Sequence, residues 1–246
     1  MNALWAIVLG ILQGLTEFIP VSSSGHLVLA QSLIPGFSQP GILFDVVLHL
    51  GTLFAVFYFF RKTILRLGRK YYLLLIVGSI PAALIGFLFQ EQLVSTFGNV
   101  KMVGLELIIT GVLNLLIDRF EANKQKISFL DSFLVGISQA IAIIPGISRS
   151  GATIFSAVKL GIDKKKAAEF SFLLSIPAIA GANILQFLSN DVSSLENPLN
   201  YVIGFAAAFV TGFWSINLVL KSLAKRKFSV FGVYSIVLGS IVLLFK

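Results

Sequence analysis

The sequence predicts an all-α polytopic integral membrane protein built as an inverted-topology repeat, each half a re-entrant helical hairpin followed by three transmembrane helices. Three observations carry that expectation. Of 246 residues, 57% are hydrophobic and only 12% charged, where a soluble domain typically has about 25% charged. Apolar runs long enough to cross ~30 Å of hydrocarbon, at ~1.5 Å per residue, recur along the chain. A shift of 126 residues also lays one half on the other, placing Gln13 on Gln139, Ser22 on Ser148, Ser24 on Ser150, Gly25 on Gly151, Phe44 on Phe170 and Gly78 on Gly204. Near the end a shift of 128 carries Gly111 to Gly239, so the register is shared throughout.

The elements follow in order. The first apolar segment, about 3–19, opens on MNALWAIVLG without the positive stretch of a secretory signal and reads as mature structure. Segments 42–60, 71–89, 102–117, 167–188, 199–220 and 228–245 are each long enough to cross. Segments 26–35 and 151–160 are too short, and each follows a polar, glycine-containing break. They therefore read as second limbs of hairpins whose first limbs are 3–19 and 127–144. Repeat one spans about 1–120 and repeat two about 127–246, within a single membrane domain.

Charge placement orients the halves. The net charge of +8 is concentrated in RKTILRLGRK (61–70), DRFEANKQK (118–126), KLGIDKKK (159–166) and KSLAKRK (221–227). These are short loops between apolar runs, as expected of cytoplasmic loops, and they give no reason to invoke nucleic acid. With all four inside, the first hairpin enters from the outer face and the second from the cytoplasm. The two halves then run in opposite directions, and both breaks lie near the midplane. Irregular backbone at that depth is tolerated only when buried in protein or lining a wet cavity. The chain has no cysteine, which excludes disulfides, thiol nucleophiles and cysteine metal ligands.

The first break is contained in QGLTEFIPVSSSGH, residues 13–26. Gln13 and Glu17 share one helix face. A carboxylate at this depth costs about 2.5–3.5 kcal/mol on insertion scales, so Glu17 requires a cavity or a partner. Ser22, Ser23, Ser24 and Gly25 read as a loop opening the helix 26–35, where serine caps free backbone donors that also suit a phosphate. His26 has the chemistry of a base, an acid, a nucleophile or a hydrogen-bond donor. The second histidine, His49, stands in an apolar span and reads as structural.

The second break, PGISRSGATIF (145–155), carries Arg149. A guanidinium in the membrane needs an anion, and its fork matches phosphate oxygens. Ser148, Ser150 and Thr153 add hydroxyls beside it. Two compatible readings stand for Arg149: recognition of a phosphate, and neutralisation of Glu17. Asp45 and Glu169 are expected near the cavity, whereas Glu106, Asn114 and Asn217 read as packing polars. Together these groups suit metal-assisted chemistry on a phosphate at the membrane, with Glu17 holding a hard divalent ion such as Mg²⁺.

The same residues closely resemble the undecaprenyl-diphosphatase, or bacitracin-resistance, family. QGLTEFIPVSSSGH and PGISRSGAT match its two motifs in order, and AAEFSFLLSIPA (167–178) is similar as well. The resemblance implies hydrolysis of undecaprenyl diphosphate to undecaprenyl phosphate and inorganic phosphate, recycling a cell-wall lipid carrier and giving bacitracin tolerance. It implies Glu17, Ser23, His26 and Arg149 as catalytic residues, with Ser22, Ser24, Gly25, Ser148, Ser150 and Thr153 around the substrate. It also implies a divalent metal, Mg²⁺ or Ca²⁺, on Glu17 and Gln13. Gln13 departs from members with a carboxylate there, leaving Glu17 the only formal negative charge of the motif.

Expected surroundings are the bacterial inner membrane, a site open to the outer side, and a lipid substrate, with a homodimer left open. The nucleophile is open among Ser23, His26 and a metal-bound water. Inverted repeats with broken helices also occur in transporters, so a polyprenyl-phosphate flippase or secondary transporter is the competing reading.

Overall fold

A computed structural model describes residues 2–37, 42–89, 100–144, 146–189, 197–224 and 228–245, without the side chains of 186–189 and 224. The described chain is helical: α1 (Ala3–Phe18), α2 (Ser23–Ser32), α3 (Leu43–Ile64), α4 (Arg69–Leu88), α5 (Val100–Ile117), α6 (Phe129–Ile141), α7 (Arg149–Lys159), α8 (Lys164–Ser189), α9 (Pro198–Ala224) and α10 (Phe228–Phe245). Six of them, α3, α4, α5, α8, α9 and α10, are long and apolar enough to cross a membrane, and they coincide with the six expected spans. The protein is a multi-pass membrane protein. Helices α1, α2, α6 and α7 are shorter, and their lengths of 10 to 16 residues fall short of ~30 Å at ~1.5 Å per residue.

Several helix starts are set by side-chain caps. Asn2 accepts the Trp5 amide at the head of α1, and Ser128 with Asp131 forms a reciprocal capping box at the head of α6. At α2 the cap is Ser22, whose Oγ accepts the Gly25 amide, and at α7 it is Ser148, whose Oγ accepts the Gly151 amide. Both helices therefore begin earlier than the expected 26 and 151. This corrects the sequence expectation: Ser23, Ser24 and Gly25, like Arg149 and Ser150, lie in a first helical turn rather than in a loop.

Burial is inverted relative to a soluble protein. Gln13, Glu17, His26, Asp45, Asn114 and Thr153 are buried, whereas Leu73, Ile76, Ile80 and Leu84 of α4 and Val230, Val233, Val237 and Ile241 of α10 face outward. In water such an outer surface would be a liability; against hydrocarbon it is the expected face.

Packing follows the small-residue logic of membrane helices, in which close backbone approach replaces the hydrophobic drive. Helix α1 packs on α9, α6 on α4, α3 on both α8 and α9, and α5 on α10. A Cβ placed on Gly136 would strike the Gly78 carbonyl, and one on Gly10 would strike that of Gly204. Ser132 also donates to the Leu74 carbonyl across the α4–α6 contact. Beneath the hairpins, Phe18 and Phe172 meet edge to face at 5.4 Å within a large apolar cluster. The loop after α5 meets the loop after α7 at Lys124, whose N–H donates to the Gly161 carbonyl and whose carbonyl accepts the Asp163 N–H, on either side of Ile162.

This tightness is testable. Gly136→Val should reduce stability by about 1–3 kcal/mol, the range for forced overpacking, and lower the thermal midpoint in detergent. Gly68→Ala adds a methyl that meets nothing within 4 Å and should lower the midpoint only by the smaller cost of alanine at this N-cap. Equal midpoints for the two variants would show that the α4–α6 interface is not close-packed.

Candidate functional site

Glu17 occupies the last turn of α1 and is buried. Its Oε1 accepts Arg149 Nη2 at 2.6 Å, so the charged residues of the two breaks meet. Its Oε2 accepts Ser23 Oγ at 2.6 Å and Gln13 Nε2 at 2.9 Å. Arg149 is the first residue of α7, and its Nη1 donates to the Ser171 carbonyl of α8 at 3.2 Å. A buried pair of this kind persists only when further hydrogen bonds satisfy both partners, which Ser23, Gln13 and Ser171 do here.

A cavity of about 600 Å³ opens on this pair. Glu17, Ser22, Ser23, Ser24, Ser148 and Arg149 form its polar pole, with Asp45 and His49 of α3 beside them. Most of the remaining wall is apolar, drawn from Ala82, Ala83 and Phe87 of α4, Ile143 and Ile147 of the second hairpin, and Ala178 and Ile179 of α8, with Ser79, Gln139 and Asn183 among them. A phosphate headgroup fits the first region and a hydrocarbon chain the second.

Several expected site residues lie elsewhere. His26 does not reach the pair: its Nδ1 donates to the Ser22 carbonyl at 2.7 Å, and its Nε2 meets the Tyr234 hydroxyl of α10 at 2.8 Å. Both ring nitrogens are thus engaged in fixing the first hairpin against α10, with the two rings stacked at 5.7 Å. Thr153 turns away from the cavity to bond Ser171 Oγ at 2.6 Å, tying α7 to α8. Ser150 faces Ser148, and Gly25 packs toward Val103 and Gly146. Gln13 stands behind Glu17 rather than on the wall. Asp45 lines the cavity and accepts Gln31 Nε2 at 2.5 Å, while Glu169 is not among the lining residues.

Other residues gain roles that their sequence context did not signal. His49 stands on the cavity wall with Nε2 3.5 Å from Glu17 Oε2. The signal that existed was spacing, since Asp45 and His49 are four residues apart on one face of α3. Helix α5 holds both hairpin turns. Thr110 Oγ1 donates to the Gly146 carbonyl and accepts the Ser148 amide, and Asn114 Nδ2 donates to the Pro20 carbonyl. Ser24 Oγ in turn accepts the Gly146 amide, joining one turn to the other. Gly146 has φ +100°, and any side chain there would run into Glu106. Gln139, the counterpart of Gln13, is buried on the cavity wall, and neither polar atom of its amide has a hydrogen-bond partner among the described residues.

Ten described helices with a buried ion pair between two short helical hairpins, at the head of a largely apolar cavity, define a multi-pass membrane protein with a site suited to an anionic amphiphile. More particularly, the chain belongs to the bacitracin resistance family: residues 6–241 match the model described as "Bacitracin resistance protein BacA". Relatives named undecaprenyl-diphosphatase include one from Syntrophotalea carbinolica, 41% identical and aligned over 97% of both chains. Another, from Carboxydothermus hydrogenoformans, is 41% identical over 100% of this chain and 98% of its own. Undecaprenyl-diphosphatase 4 of Bacillus thuringiensis is 40% identical over 99% and 97%.

The ion pair makes a stability prediction. Arg149→Met leaves Glu17 buried without its cation, a loss of about 3–5 kcal/mol for comparable pairs. Arg149→Met combined with Glu17→Leu removes both charges and should unfold at a higher temperature than Arg149→Met alone. A double variant that melts no higher than the single would mean that the two charges are energetically independent.

Proposed function

We propose that this protein hydrolyses undecaprenyl diphosphate to undecaprenyl phosphate and inorganic phosphate at a site formed by the two hairpins. The observation that carries this reading is the Glu17–Arg149 pair, with Ser23 on the same carboxylate, at the polar pole of a largely apolar cavity. Names and near full-length similarity of the relatives agree with it.

In this mechanism the terminal phosphate enters the polar pole and the prenyl chain lies along the apolar wall. Arg149 exchanges part of its contact with Glu17 for the phosphoryl oxygens, where its fork offsets the charge of the transition state. A hydroxyl held by Glu17 Oε2, that of Ser23 or of a water at the same oxygen, attacks the terminal phosphorus. The bond from phosphorus to the bridging oxygen breaks, and the lipid monophosphate leaves. If Ser23 attacks, water then cleaves the phosphoserine, so either route consumes one water and releases one phosphate.

A divalent ion, Mg²⁺ by preference, is part of the proposal. Gln13 and Glu17 suit it in one respect: the Gln13 Oε1 is buried with no hydrogen-bond partner among the described residues, a hard oxygen on the amide whose Nε2 bonds the Glu17 carboxylate. These two residues would hold the ion, which would supply positive charge to the diphosphate oxygens. We further place the site open to the outer side of the inner membrane, from the entry side of the first hairpin.

The inverted repeat belongs to this reading too. Each first limb packs on a helix of the opposite half, α1 on α9 and α6 on α4. The close approaches Gly10–Gly204 and Gly78–Gly136 exchange under the same shift of 126 residues. Likewise, Ser22 and Ser148 cap α2 and α7 in the same way.

Purified protein should release phosphate from undecaprenyl diphosphate with Mg²⁺ and lose at least tenfold in rate with excess chelator. Absence of release from folded protein, with lipid transport in liposomes instead, would replace the hydrolase by a transporter. In the same assay Arg149→Lys should lose at least tenfold in kcat/KM, because a point charge cannot reproduce the fork. Near wild-type turnover would remove Arg149 from the mechanism.

A further inference from the structure

The family motifs point to His26, and the structure places a second imidazole, that of His49, at the polar pole. His26 has both ring nitrogens engaged, with Ser22 and Tyr234, and it is absent from the cavity wall. His49 has one nitrogen engaged and one facing the polar pole. Its Nδ1 lies 2.7 Å from the Asp45 carbonyl. A carbonyl only accepts, so Nδ1 carries the hydrogen, and the neutral ring presents an acceptor lone pair at Nε2. That Nε2 stands 3.5 Å from Glu17 Oε2 and makes no hydrogen bond among the described residues. About one quarter of the side chain is accessible, and His49 lines the cavity.

Two acceptors 3.5 Å apart at the head of one cavity do not bond each other. They are matched by a group bearing two hydrogens, and in phosphoanhydride hydrolysis that reactant is the attacking water. We propose that His49 is a catalytic residue that accepts one hydrogen bond of this water through Nε2, directing the oxygen lone pair at phosphorus while Glu17 accepts the other. The contact with Asp45 fixes the ring so that Nε2, not Nδ1, is presented. The water either attacks the substrate directly or cleaves a phosphoserine at Ser23; the Ser23 hydroxyl itself has one hydrogen, which it donates to Glu17 Oε2. This inference rests on the hydrolase reading above.

The two nitrogens can be tested separately. A glutamine places its terminal polar atoms near the position of Nε2, whereas an asparagine places its own near Nδ1. His49→Gln therefore keeps an acceptor at the cavity, and His49→Asn keeps only a partner for the Asp45 carbonyl. Both variants, with His49→Leu as the floor, would be assayed for phosphate release from undecaprenyl diphosphate, with thermal midpoints confirming folding. The expected result is a fall in kcat of at least tenfold for His49→Asn and His49→Leu, with KM within about threefold of wild type. His49→Gln should recover several-fold over both.

Three outcomes would overturn the proposal. His49→Asn retaining kcat while His49→Gln loses it would make the residue a structural anchor for α3. A loss confined to KM would make it a contact for bound substrate rather than for the attacking group. His49→Leu within twofold of wild-type kcat would remove it from the reaction. Should His49→Leu fail to fold, the comparison of asparagine with glutamine still decides. A folded wild-type protein that releases no phosphate would instead remove the hydrolase reading itself, and this inference with it.

Discussion

The contact between Glu17 and Arg149 is the constraint around which the rest is organised. Neither charge is tolerable alone where it lies, and each arrives on a hairpin from a different half of the chain. Bringing them together requires the last turn of α1 to meet the first turn of α7. That in turn requires two serine-capped helix starts and glycine-lined interfaces that let α1 and α6 seat closely on α9 and α4. The apolar exterior and the polar interior thus have one cause. A lipid-facing shell can be greasy because the polar groups find their partners inside.

Much of the fold was readable before any coordinates. The six long helices lie where the apolar runs lie, because length and hydropathy are local properties that the bilayer reads directly. The two hairpin limbs were anticipated from being too short, and Glu17 and Arg149 from being charged at depth. What misled was the assumption that a helix begins where its apolar run begins. Ser22 and Ser148 start α2 and α7 ahead of those runs, since a cap needs only its own hydroxyl and an amide three residues on. Arg149 is therefore aimed by a helix rather than carried by a loop.

Individual roles were less readable, because they depend on which neighbour a helix face meets. His26 stands in a serine-rich motif and looked reactive, but its partners are a carbonyl one turn back and a tyrosine more than 200 residues on. His49 stands among leucines and looked inert, yet α3 turns it toward Glu17. Thr153 and Asn114 exchanged expectations in the same way, the first becoming a tie between helices and the second a support for a hairpin turn. Helical periodicity says which residues share a face. It does not say what that face will see.

The polar ridge of α5 has a mechanical meaning. Thr110 grips the turn before Arg149, and Asn114 grips the turn after Glu17. Both ends of the ion pair are thus referenced to one rigid rod, as two mirrors are to a single optical bench. Tilting of that rod within the bilayer carries both charges together and leaves their separation unchanged. The separation of the two charges is thus set within the protein, through α5, and not by where the protein sits in the bilayer.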